Sequence, residues 1–233
     1  MELLMKRNIE LVKASRLGDL EKVKNILETT EEFEHNELNI ALEYALLKGH
    51  RDIVKELIIF GASNTETKLR LNYNNVSFYY IVNVNYVECI YELMLIYYSY
   101  IGDFEMAELL IDSGVNDLNR ALMSASEKGH LEIVKLLIDS GANDLNGALM
   151  SSSENGHLEV VKYLLDSGAD VNAKYNDTWH SKTALMFASE KGHLEVVKYL
   201  IDKGADDLNI ALTSAAKNGH SEVAEFLKSK GAK

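Results

Sequence analysis

The stretch His130-Leu131-Glu132-Ile133-Val134-Lys135-Leu136-Leu137-Ile138-Asp139-Ser140-Gly141-Ala142 returns almost unchanged from His157 to Ala169. Within it Ile133, Val134, Leu137 and Ile138 fall at helical spacing on one face. Gly141 stands just past the last apolar turn, where a residue in the left-handed region closes a helix. The dipeptide that opens the stretch recurs as Gly49-His50, Gly129-His130, Gly156-His157, Gly192-His193 and Gly219-His220. Gly18-Asp19 and Gly102-Asp103 hold the equivalent place in two further copies.

Working outward, a second helical pattern precedes each of these turns. Leu118, Ala121, Leu122 and Ala125 lie at i, i+3, i+4 and i+7, and the pattern returns at Leu38, Ala41, Leu42, Ala45 and at Leu208, Ala211, Leu212, Ala215. The alanines let neighbouring helices approach closely. Asp117, Asp144 and Asp207 sit just ahead of this helix, where a carboxylate caps free N–H groups. Each unit therefore reads as helix, tight glycine turn, helix, glycine stop. Neither helix buries its apolar face alone, whereas stacked copies do, so the expected fold is an all-α solenoid of paired antiparallel helices.

Composition agrees with a folded stack and excludes several function classes. Hydrophobic residues make up 47% of the 233, enough for a continuous core, and the absence of proline leaves long helices unbroken. The net charge of −12 opposes phosphate backbones and anionic surfaces, so no nucleic acid and no membrane is expected among the partners. Cys89 is the single cysteine, which rules out an internal disulfide. No signal-peptide pattern opens the chain, and no run of about 18 apolar residues occurs. A cytoplasmic, monomeric protein is expected.

The block Gly-His-x-Glu-[Val/Ile]-Val-x-x-Leu-[Leu/Ile]-x-x-Gly-Ala, nearly intact in three copies, resembles the ankyrin repeat. Asp170-Val171-Asn172-Ala173 is similar to the loop that follows the block in that family. The resemblance gives about seven units, near 6–30, 38–62, 88–115, 118–142, 145–169, 181–205 and 208–232, with an irregular insertion at 63–87. All are expected to form a single domain spanning 1–233.

Departures from the family pattern are informative. Ankyrin repeats usually run about 33 residues, yet Gly102 to Gly129, Gly129 to Gly156 and Gly192 to Gly219 are steps of 27. The missing length is where the family projects a β-hairpin finger. Gly156 to Gly192 is 36, so one long loop survives there, carrying Trp179 beside His180. The family's Thr-Pro-Leu-His motif is reduced to Thr183-Ala184-Leu185-Met186. Aspartate caps and apolar packing are expected to compensate for the hydrogen bonds so lost. Eight of the twelve tyrosines fall between Tyr73 and Tyr100, and the run from Val76 to Val82 suits either strand or helix.

Catalytic constellations are not evident. Phosphate loops, nucleophile elbows and zinc-protease motifs are lacking, so neither an enzyme nor a cofactor is expected. One histidine per repeat, with repeats stacked at about 10 Å, spaces the five Gly-His imidazoles too far apart to share a zinc ion. They are expected to fix the interhelical turn by bonding nearby backbone. Cys89 reads as buried and inert, and within Ser151-Ser152-Ser153 at least Ser152 is expected to face the core.

What the resemblance implies about function is binding of another protein on the concave helix/loop face. Carried over by position, the exposed contacts are Glu127 and Lys128, Glu154 and Asn155, Glu190 and Lys191, and Lys217 and Asn218, with Trp179 and His180 at the surviving finger. Asn172 matches an asparagine that some ankyrin proteins present to an asparaginyl hydroxylase. Two other readings stand beside this one. In one, the Tyr73–Tyr100 segment makes the protein structural or self-associating. In the other, an Asn-, Lys-, Ile- and Tyr-rich usage similar to ankyrin proteins of amoebal viruses and host-associated bacteria implies a host-directed factor.

Overall fold

The computed structural model describes residues 2–29, 35–60, 72–73, 76–77, 89–115, 117–176 and 181–233. They divide into two compact units, Met1–Tyr91 and Glu92–Lys233.

In the first unit, helices α1 (Glu2–Leu17), α2 (Leu20–Glu28), α3 (His35–Lys48) and α4 (Arg51–Phe60) form two helical hairpins. The leading helices α1 and α3 pack together, as do the trailing helices α2 and α4. Leu11, Ala14, Val23, Leu42, Ala45, Ile53 and Leu57 form its core. The short strands β1 (Asn72–Tyr73) and β2 (Val76–Ser77) pair antiparallel, with Asn72 opposite Ser77. The strand preference of Val76 is thus expressed; residues 78–82 of that run lie outside the described residues.

The second unit runs on through α5 (Cys89–Ile101), α6 (Phe104–Asp112), α7 (Asn119–Lys128), α8 (Leu131–Asp139), α9 (Leu145–Glu154) and α10 (Leu158–Asp166). After the strands β3 (Tyr175–Asn176) and β4 (Ser181–Lys182) come α11 (Ala184–Lys191), α12 (Leu194–Asp202), α13 (Leu208–Lys217) and α14 (Ser221–Ser229). Leading helices α7, α9, α11 and α13 pack in sequence, and trailing helices α6, α8, α10, α12 and α14 do the same. Two layers of parallel-stacked helices result, which is the all-α ankyrin-type solenoid that the repeat predicts. The alanines Ala121, Ala148, Ala184 and Ala211 are fully or almost fully buried where leading helices meet.

Both punctuation signals work as backbone devices. Gly141 has φ 107°, its N–H donates to the carbonyl of Ile138, and the N–H of Ala142 reaches back to Leu137. This pair of bonds satisfies carbonyls that the helix end leaves open. Gly129 ends α7 in the left-handed region, and the N–H of His130 bonds the carbonyl of Ala125 at 3.0 Å. His130 is at once the N-cap of α8, so only Gly129 and His130 separate the two helices.

The aspartate caps are only partly as expected. Asp144 accepts from the N–H of Gly147 at 3.0 Å. Asp117 and Asp207 require correction: α7 starts from Leu118 with no side-chain cap, and Asp207 makes none at α13. The Asp144 carboxylate occupies the space where a Cβ on residue 147 would lie, 2.5 Å from Oδ2. Arg120 and Ile210 stand at the equivalent position in the other two copies. Caps that the pattern did not pick out occur at the two Gly-Asp turns, where Asp19 accepts from Lys22 N–H and Asp103 from Met106 N–H.

Candidate protein-binding face

The candidate face lies at the carboxyl ends of the leading helices, where the turn histidines bond the backbone. The Nε2 of His157 lies 2.8 Å from the carbonyl oxygen of Glu127, His193 is 2.9 Å from that of Glu154, and His220 is 2.9 Å from that of Glu190. His130 reaches the carbonyl of Tyr100 at 3.1 Å, and His50 that of Arg16 at 3.4 Å. In each case the acceptor lies two residues ahead of the glycine in the preceding repeat's turn. The imidazole also covers that glycine: a Cβ on Gly129 would lie 2.5 Å from Nδ1 of His157. The histidines do bond backbone, as expected, but that of the preceding repeat and not of their own turn. A ring nitrogen held as a donor to a backbone carbonyl is engaged in structure.

A second inter-repeat device lies at the opposite ends of the same helices. The side-chain oxygen of Asn119 accepts from the N–H groups of Asn143 and Asp144 at 2.9 and 3.0 Å, while its amide donates to Asn143 Oδ1 at 3.1 Å. Asn146 accepts from Asp170 N–H, and Asn209 from Lys233 N–H, each at 2.8 Å. Lys182 stands at this position in the remaining copy, and there Asn172 substitutes, donating to the carbonyl of Gly204 at 3.1 Å and accepting from Asp206 N–H at 3.2 Å. Both polar atoms of Asn172 are thereby engaged. This ladder links successive repeats. Its signal was the recurring Leu-Asn dipeptide at 118, 145 and 208, to which sequence reasoning assigned no role.

The candidate contacts fall along one row. Glu127, Lys128, Glu154 and Glu190 are half-buried, and Asn155, Lys191, Lys217 and Asn218 are exposed. Several of these side chains are engaged in ion pairs. Lys191 bridges back to Glu154 of the preceding repeat at 3.2 Å, Lys128 pairs with Glu127 at 3.1 Å, and Glu190 pairs with Lys182 of the hairpin at 2.7 Å. Asn155 and Asn218 each donate to a helix carbonyl four residues back. Lys128 also lies 4.4 Å above the Tyr100 ring. Its interaction with Tyr100 first, and with Glu127 second, holds its ammonium pKa above the ordinary lysine value.

The surviving finger is present as the β3–β4 ladder, with Tyr175 opposite Lys182. Trp179 and His180 lie outside the described residues, as do Tyr79, Tyr80 and Tyr86 and the side chain of Cys89. Of the tyrosine cluster, Tyr98 is core and meets Tyr97 edge-on at 5.3 Å, whereas Tyr100 is exposed. Ser152 is buried as expected, its hydroxyl donating to the carbonyl of Leu149 at 3.1 Å. Among the described residues no group of three or more His, Cys, Asp or Glu is placed to hold a metal ion, and no helix is long and apolar enough to cross a membrane.

A family model described as ankyrin repeats (3 copies) matches residues 93–175 and again 174–233, more than half the chain. The chain belongs to the ankyrin-repeat family. No curated protein sequence matches it. Ankyrin repeats are in general protein–protein interaction modules, and the family is typically non-enzymatic.

Proposed function

We propose that this ankyrin protein is a cytoplasmic scaffold that binds a partner protein across the concave helix/loop face of residues 89–233. The observation that supports this best is the row at Glu127/Lys128, Glu154/Asn155, Glu190/Lys191 and Lys217/Asn218. The backbone of its first three pairs is bonded by His157, His193 and His220. A side chain on a locked carbonyl loses little further freedom on binding, and such preorganisation raises affinity. The hairpin beside the row carries Trp179 and His180, and a large aromatic is the residue type that supplies most binding energy at interfaces.

The test is capture of partners from native-host lysate with mass spectrometry, repeated with three variants. Trp179→Ala is expected to lose the partner. Charge reversal of the Glu127/Lys128 pair, or of Glu190/Lys191, is expected to weaken capture while leaving the circular dichroism spectrum unchanged. A partner that all three variants retain at wild-type level would exclude this face.

A further inference from the structure

At one position the leading helices differ in chemistry. The residue two ahead of the buried alanine is Asn119, Asn146 and Asn209 in three copies, and Lys182 in the fourth. Each asparagine accepts from a backbone N–H of a later loop or of Lys233. An ammonium only donates, so Lys182 cannot take that part, and Asn172 accepts from Asp206 N–H in its place. The lysine makes a different bond. From β4 its Nζ donates to Oε2 of Glu190 at 2.7 Å, eight residues on and near the carboxyl end of α11. The same Nζ lies over the Phe187 ring, 5.0 Å from its centroid. Phe187 and Glu190 stand three apart, on one face of a helix, so the lysine is laid along that face of α11.

We propose that Lys182 is the positioning residue of the β3–β4 finger, clasping it to Phe187 and Glu190 so that finger and row are presented together. Two strands of two residues each are marginal as a hairpin on their own, so the direction of the finger has to come from its fastenings. The leg before β3 is fastened by Asn172 to Gly204 and Asp206, in the loop between α12 and α13. One such point leaves a hinge. Lys182 supplies a second, on the other leg and on a different element. Its acceptor is itself tied into the row: the carbonyl of Glu190 is bonded by His220, and the neighbouring Lys191 bridges to Glu154. The use of this surface for binding rests on the function proposed above, whereas the clasp is a property of the free chain.

Nuclear magnetic resonance on the full chain tests the clasp without a partner. The Cε protons of Lys182 are expected upfield of the position that they take in Phe187→Leu, because the ring is no longer beside them in that variant. Lys182→Met keeps the stem and removes the charge. Amide exchange in β3 and β4 is then expected to rise by about three- to tenfold, the combined weight of a half-buried ion pair and a cation–π contact. Exchange in α11 and α13 stays at the wild-type rate. Lys182→Arg retains the protection, and Lys182→Glu loses it until Glu190→Lys is added. Wild-type exchange in Lys182→Met, no recovery in the exchanged pair, or the same Cε shift with and without Phe187 would overturn the proposal. These readings need no partner, so they separate the clasp from the binding face, which Trp179→Ala tests.

Discussion

Three residues ahead of the turn glycine, a serine recurs as Ser15, Ser99, Ser126, Ser153 and Ser189, and all five are fully buried. None of their hydroxyls has a hydrogen-bond partner among the described residues. A buried hydroxyl without a partner costs about 1–3 kcal/mol, while serine and alanine differ here by one oxygen. Ser126→Ala and Ser189→Ala are each expected to stabilise the protein by about 1 kcal/mol, read as a higher urea midpoint at constant slope. Ser152→Ala, whose hydroxyl is bonded to Leu149, is the neutral control. The turn glycines divide in a similar way. Gly129 and Gly219 share nearly the same φ, 76° and 80°, but only Gly129 has an imidazole over it. Both alanine variants carry the backbone strain of about 1 kcal/mol, and Gly129→Ala must also displace His157. It should therefore cost at least ~1 kcal/mol more than Gly219→Ala, and equal midpoints for the two would contradict the packing of ring on glycine.

At the scale of the element, Asp144 and Asp207 occupy equivalent positions in sequence and different ones in energy. Asp144 caps α9 through the N–H of Gly147, and the carboxylate lies close against that glycine. Asp207 makes no cap bond at α13, and its Oδ2 lies 3.8 Å from Lys174 Nζ with no hydrogen-bond partner among the described residues. Asp144→Ala is expected to cost about 1 kcal/mol, the usual value of an N-cap, and Asp207→Ala less than about 0.5 kcal/mol; thermal melts of both variants check the difference. The contrast shows which part of the fold was legible in sequence. Helices, turns and stops were readable because apolar period and glycine position are local properties of ten or so residues. The cap was readable as a residue type but not as a bond, because the aspartate's rotamer decides whether its carboxylate turns onto its own helix, as at Asp144, or away from it, as at Asp207. The histidine acceptors were harder still. Each lies 30 or more residues upstream, and only the repeat period links His157 to the carbonyl of Glu127. For the candidate face the same limit applied: the row was found by position, whereas its bridge from Lys191 to Glu154 depends on how two repeats stack.

For residues 89–233 as a whole, the consequence of a lock depends on where it stands and not only on its strength. His193 and His220 make the same bond, each 2.9 Å to the carbonyl of a glutamate in the preceding repeat. His193 joins the repeat at 145–169 to that at 181–205, across the long step. His220 joins the last repeat to the array. Stability in such an array is a sum of repeat terms and nearest-neighbour terms, so removing an interface term in the interior weakens the coupling of both halves, while removing the last one lets a single repeat fray. Both alanine variants lose about 1 kcal/mol of local bonding. His220→Ala is expected to speed amide exchange in residues 208–233 and leave 118–169 protected, with a small fall in melting temperature. His193→Ala should lower the main transition further, broaden it, and speed exchange on both sides of the 36-residue step. If the two variants gave the same exchange pattern, the five repeats would be unfolding as one indivisible unit, and the histidine ladder would not be what couples them.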